Sequence, residues 1–373
     1  MQRGRRNRAR SLARLRPRRT VTRRQPVAMG SSVRTAILRA SADGYAGLAA
    51  SRLAEQAPGA LGSDGFEAWR RHYRAQLQAL IAALEDELPE RYAAHVAWLR
   101  DAQQARGGDP AVFSAALDAL EFVLEQHLPA AADPVLSRCF ELARAALTAP
   151  RAAAPPAPAA SPLARAYVEA LLDCDKERAL REVDAALAES RVDPAALLDE
   201  VLPYAQREIG ELWHRGSIGV AEEHFATQVT RQCIGRLLAR AQPAAPGAAR
   251  VVVTSLQGDG HDIGVQLVAC AFELAGWRTV FLGANTPIEE VVAIARKLDA
   301  QVVALGGTLD EHRAPIAAAV RALRAGAPRA RVIVGGAAFD GSEDLWRRSG
   351  ADALARAPSE APRCAASLLG TLA

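Results

Sequence analysis

The chain has 373 residues, half of them apolar and 24% charged, which is enough for two or three cored units and too apolar for global disorder. Lys plus Arg number 46 against 42 Asp plus Glu, but eleven arginines and no acid fall in residues 1–28, so the remainder carries a net charge of −7 and is no uniformly basic nucleic-acid binder. No apolar run approaches the ~18–20 residues of a membrane helix, and the five cysteines, scattered and without a CxxC pair, argue for a reducing cytoplasm over a disulfide framework or structural zinc.

Residues 1–28 read as a basic disordered tail, with a polyphosphate or nucleic-acid contact as the sharper reading. Residues 29–148 form an all-α helical domain of four to six helices. Asp109-Pro110 and Asp133-Pro134 pair an N-cap with a proline that spares the wasted first-turn donor. Phe113, Leu117, Leu120, Leu124 and Leu128 recur at helical spacing, as do Leu77, Leu80, Ile81 and Leu84, and Gly107-Gly108 parts two helices. Residues 149–162 are a stiff Pro/Ala linker. A second helical unit, a four-helix-bundle cap, covers 163–245. In it Asp193-Pro194 opens a helix that Gly216 stops and Pro203 kinks, and Phe225, Val229, Cys233 and Leu237 mark the next helix, ending near Arg240.

Beyond Pro243 and Pro246 the period changes. Short β-rich runs at 251–256, 279–282, 301–305 and 331–334 alternate with helical segments at 264–274, 288–298 and 314–323. This predicts an α/β, Rossmann-like (flavodoxin-like) domain over 246–373, a parallel sheet whose ligands bind at the carboxyl ends of the strands. Gly258-Asp259-Gly260-His261-Asp262-Ile263-Gly264 lies where the first strand meets its helix. A dinucleotide loop is a poor match: the glycines run GxGxxxG, and the second strand ends in Leu282-Gly283-Ala284-Asn285 with no acid for a ribose hydroxyl. Asp259-x-His261 fits a metal ligand better, since a carboxylate two residues earlier can take the second ring N–H and fix the tautomer. His261 is singled out as the only histidine on a strand-end loop with an acid at i−2.

Asp259-x-His261-x-x-Gly264, the turn Gly306-Gly307-Thr308, Gly335-Gly336, and Leu282-Gly283-Ala284-Asn285-Thr286-Pro287 together resemble the cobalamin (B12)-binding domain of corrinoid proteins. The resemblance implies that His261 ligates cobalt from below, while the displaced nucleotide tail enters a slot kept open by Gly258, Gly264, Gly306, Gly335 and Gly336. One departure is that Gly306 stands where the family has Ser, with Thr308 as the candidate to supply the lost hydroxyl. Upstream, Trp213-His214 and, nine residues beyond the tryptophan, Glu223-His224 are similar to the cap of CarH-type adenosylcobalamin photoreceptors. That resemblance implies Trp213 packed on the adenosyl group, Glu223 and His224 in the same cavity, and His214 as upper cobalt ligand after light has expelled the group.

The chain is thus expected to be a light-sensing regulatory protein, not an enzyme, with photolysis changing the cap and the oligomeric state of a homo-oligomer or its contact with a protein partner. The alternative is a corrinoid methyl-carrier of a methyltransferase system. Direct DNA binding is disfavoured, because residues 31–149 show no basic recognition helix. The domain order looks like the photocobilins, which implies a bilin such as biliverdin in the N-terminal domain, with His72, Tyr73, Arg91, His95 and Trp98 as candidate lining; the alternative is a protein-interaction bundle with no ligand. Cys139 near a helix start reads as a core thiol.

Overall fold

In the computed structural model, residues 31–62, 65–128, 134–150, 160–340 and 343–370 are described. The basic tail, Asp133 and the centre of the Pro/Ala linker (151–159) lie outside them. The first unit holds α1 (Ser31–Ala40), α2 (Ala42–Gln56), α3 (Gly65–Asp86), α4 (Pro89–Gln104), α5 (Pro110–His127) and α6 (Pro134–Thr148). Asp109 caps α5 by accepting from Ala111 N at 2.9 Å, with Pro110 behind it. Tyr73, Leu77, Leu80 and Leu84 from α3 pack with Leu117, Leu120 and Leu124 from α5 and with Phe140 from α6. Cys139 is buried in the same core, where burial pushes its thiol up to about 12.

The second unit comprises α7 (Pro162–Leu172), α8 (Lys176–Ala188), α9 (Pro194–Ala196), a π-turn over Leu197–Val201, α10 (Leu202–His214) and α11 (Val220–Leu238). Asp193 caps α9 by accepting from Ala196 N at 2.6 Å. The kink or break expected at Pro203 takes the form of a widened turn: Leu202 N–H reaches back five residues to Leu197 O, which makes room where the proline ring would crowd the carbonyl of Asp199. Gly216, at φ +71°, ends the run one residue beyond the cap.

The third unit runs β1 (Arg250–Leu256), α12 (Ile263–Leu274), β2 (Arg278–Thr286), α13 (Ile288–Lys297), β3 (Val302–Gly306), α14 (Arg313–Gly326), β4 (Arg331–Gly335), α15 (Glu343–Arg348), β5 (Ala353–Ala355) and α16 (Glu360–Leu369). All pairings are parallel in the order β2-β1-β3-β4-β5, so the chain reverses direction across the sheet between β1 and β3 and opens a crevice there. Val251, Val253, Val302 and Ala304 face α12 and α16, while Val252, Val303, Val332 and Val334 face α13, α14 and α15. β5, α15 and α16 are additional to the predicted elements. The outer side of α12 (Leu267, Cys270, Ala271) joins the core of the second unit, which fixes the bundle against the sheet.

Candidate functional site

The loop after β1 lies at the carboxyl end of the sheet. Gly258 takes φ +100°, a conformation cheap only for glycine. The loop is closed by Asn285, whose Oδ1 accepts from Gly258 N at 2.8 Å and whose N donates to Asp259 O at 3.1 Å. This leaves Asp259 1% exposed. Its Oδ1 accepts from His261 N at 3.0 Å and faces His261 Nδ1 at 2.9 Å, while its Oδ2 accepts from Thr308 N at 3.1 Å and lies 3.0 Å from His312 Nδ1. Burial opposes ionisation of Asp259, but hydrogen bonds from His261 and His312 outweigh it and hold the carboxyl well below the usual carboxylate range. The bond to Asp259, against some burial and with Glu223 and Glu311 adding, raises the pKa of His261. The ring of His261 stays 62% exposed.

The expected DxH pattern is therefore real, but it is not unique. Asp310-Glu311-His312 repeats it after β3, on a strand-end loop, with a different outcome. Asp310 turns away to Arg91 Nη1 at 2.6 Å and Arg313 Nη1 at 2.5 Å, and the buried His312 turns to Asp259. Thr308 reaches Asp259 through its backbone N–H, not through a hydroxyl. The glycines divide into two groups. A Cβ at Gly258, Gly260 or Gly264 would meet nothing within 4 Å, so these border open space. A Cβ at Gly306 would strike Val265, one at Gly335 would lie 2.7 Å from Ala355 O, and one at Gly336 would strike Gly307 O. The latter three allow close approach at the strand ends.

Above the loop, Arg231 of α11 grips Asp262 with two bonds of 2.8 and 2.6 Å, a link that only the folded arrangement reveals. Glu223 sits at the start of α11, accepting from Thr227 Oγ1 at 2.9 Å, with the exposed His224 3.6 Å away. The four cap residues meet different neighbours. His214 is buried and stacks on Trp98 of α4, ring centroids 4.6 Å apart and 13° from parallel. Arg106 lies 4.3 Å over the Trp213 ring and donates to Trp213 O at 2.9 Å. A Cβ at Gly216 would lie 2.8 Å from Ala105 O, so the end of α4 seats on this turn. Arg313 joins the contact by pairing with Asp86 at the end of α3.

Four of the five residues expected to line a bilin have partners within the protein, and the buried Nε2 of the fifth, His95, has no hydrogen-bond partner among the described residues. Tyr73 donates to Ala116 O at 3.0 Å, and His72 Nε2 meets Gln76 Nε2 at 2.7 Å. His95 is held down to about 4, by burial against an opposing pull from Asp310. Arg91 and Trp98 belong to the contact between units.

An exposed imidazole with one nitrogen held by a buried carboxylate, beside open space at three glycines, fits a metal that brings most of its own equatorial ligands. Comparison with known proteins agrees. Residues 249–367 match the family model of the B12 binding domain, and residues 163–238 match a second B12 binding domain model. The chain is 27% identical over 205 residues to dimethylamine corrinoid protein 3 of Methanosarcina acetivorans, spanning 54% of this chain and 94% of that protein. It is 27% identical over 139 residues to trimethylamine corrinoid protein 1 of the same organism, 36% of this chain and 64% of that one. The solved monomethylamine corrinoid protein of Methanosarcina barkeri matches with a TM-score of 0.47 at 21% identity, covering 54% of this chain and 96% of that one. The second and third units are cobalamin-binding domains.

Proposed function

We propose that this protein is a cobalamin-binding sensor in which the state of the upper cap governs docking of its own N-terminal helical unit. The observation that carries the reading is the stack of Trp98 on His214, reinforced by Arg106 on Trp213. In this reading His261 holds the cobalt from below, and bound adenosylcobalamin supplies a cobalt–carbon bond that light breaks. Trp213 gives the cap an aromatic wall. His214, a neutral imidazole and a good soft-metal ligand, is kept from the corrin by Trp98, so its release and the undocking of α4 are one event. Stacked ring pairs are worth ~0.5–1.5 kcal/mol beyond their burial, a bias small enough to be reversed by a new metal bond. The protein acts as a switch, with no reaction of its own.

The names of the relatives favour a second reading, a corrinoid carrier serving a methyltransferase. A carrier must open its upper face to another enzyme, and here the end of α4 sits against His214 and the Gly216 turn of the cap. The dimethylamine relative is 94% covered by 205 residues, which leaves it no room for a unit the size of residues 31–150. A bilin is not part of either reading.

The test is the full chain loaded in the dark with adenosylcobalamin or methylcobalamin, followed by visible spectra, oligomeric state and hydrogen exchange of α4. Light should deprotect α4 with the adenosyl form and produce a spectrum with two imidazole ligands, which His214→Ala lacks. Equal α4 protection in dark and lit samples refutes the sensor and leaves the carrier. A lit His214→Ala spectrum matching the lit wild type makes His224 the residue to try.

A further inference from the structure

His312 is a buried histidine that the cobalamin reading does not use. It closes a three-residue turn, Asp310–His312, between β3 and α14, and its Nδ1 is contested. The nitrogen lies 3.0 Å from Leu309 N and 3.2 Å from Thr308 N, as a cap for the turn, and 3.0 Å from Asp259 Oδ2. One ring nitrogen cannot accept from the amide and donate to the carboxylate at once.

Chemistry decides between the two roles. If Nδ1 accepted from Leu309, its lone pair would face a carboxylate oxygen at 3.0 Å inside the protein, with Asp259 only 1% exposed. If Nδ1 carries the proton, it makes a charge-assisted bond, which is about twice as strong as a neutral one. Leu309, 44% exposed, can satisfy its amide with water. Thr308 N–H then completes Asp259 Oδ2 at 3.1 Å. Gly306, which ends β3, brings no side chain to the carboxylate.

We infer that His312 is a positioning residue for the cobalt ligand: its Nδ1–H pins the inner oxygen of Asp259, so that the outer oxygen holds His261 by Nδ1 and leaves Nε2 for the metal. The inference rests on His261 as the lower ligand. Without the pin, the inner oxygen of Asp259 keeps only the Thr308 N–H, and the bond that orients His261 loosens although His261 itself is intact.

The experiment loads the full chain with cob(II)alamin and reads the splitting of the cobalt electron-spin signal by a coordinated nitrogen. His312→Asn keeps a donor near the Nδ1 position and should retain the nitrogen-split signal. His312→Asp keeps only the acceptor that a turn cap needs, and His312→Phe keeps ring volume with neither group. Both should lose the splitting in most of the bound cobalamin and bind it ~10-fold more weakly, the lower end expected for removing a partner of a metal ligand. Cooperative melting of either variant establishes that the fold persists. Wild-type splitting in His312→Asp or His312→Phe overturns the inference and makes His312 a turn cap only, as does loss of splitting in His312→Asn equal to that in His312→Asp. His261→Ala separates the premise: a signal there identical to wild type refutes His261 as ligand, and the role of His312 falls with it.

Discussion

Replacing Asp86 by Asn should loosen the N-terminal unit from the rest of the chain without unfolding either. Asp86 is the last residue of α3, its side chain 12% exposed, and it pairs with Arg313, 9% exposed, on α14. Removing one partner of a buried pair costs ~3–5 kcal/mol when the other charge is stranded. Arg313 is not stranded, because it keeps Asp310 at 2.5 Å and the Ala338 carbonyl at 2.7 Å. The loss is therefore smaller, ~2 kcal/mol, which at ~1.4 kcal/mol per decade is ~30-fold in the docking equilibrium. Hydrogen exchange is the assay. Amides of α4 and of the Asp310–His312 turn should exchange up to that factor faster, while Leu77, Leu80 and Leu120, deep in the six-helix core, keep their protection. A second substitution, Trp98→Ala, should add to the first if both act on docking alone. Unchanged exchange of α4 in Asp86→Asn would refute the reasoning, since the pair would then hold nothing together.

Two further outcomes follow from the site and the core. Gly336→Ala places a methyl group against Gly307 O at φ +95°, so the ends of β3 and β4 must part; a loss of ~2–4 kcal/mol in urea unfolding is expected, and an unchanged midpoint would mean the strand ends have slack. Acid should weaken the six-helix unit: burial, with His95 nearby, lowers His72 to about 4, and burial lowers His95 to about 4, so the folded state keeps both neutral while the unfolded chain takes protons below its ordinary ~6.5. Stability is then full above ~6.5 and falls as the pH drops toward ~4, by up to ~1.4 kcal/mol per pH unit for each histidine, a slope that His72→Gln should reduce.

Much of the fold was legible because its signals are local. The strand cores of β1, β3 and β4 are runs of Val, Ile and Leu buried on both faces, and caps such as Asp109 and Asp193 sit where a proline follows them. β5 is Ala-Leu-Ala, too short and too plain to carry a period. Pro203 announces an interruption of its helix, but not that the interruption takes the form of a π-turn. At the site, Asp259 and His261 were visible because a single residue separates them, while His312 joins them from 51 positions beyond His261. Its own DxH spacing was on view and was the available signal. Arg91, His95 and Trp98 looked like ligand-binding groups because an interface between units needs the same donors and rings that a tetrapyrrole does. Only three-dimensional contact distinguishes the two uses.

The turn Asp310–His312 has one more consequence. It is three residues long, and its two ends serve different masters: Asp310 is held by Arg91 of the N-terminal unit, and His312 is held by Asp259, the carboxylate that also holds His261. So short a lever has little freedom to absorb a displacement at one end. By thermodynamic reciprocity, whatever factor docking of the helical unit imposes on cobalamin affinity, cobalamin must impose on docking. Under that coupling, the affinity of the full chain for cobalamin is a property of all three units together.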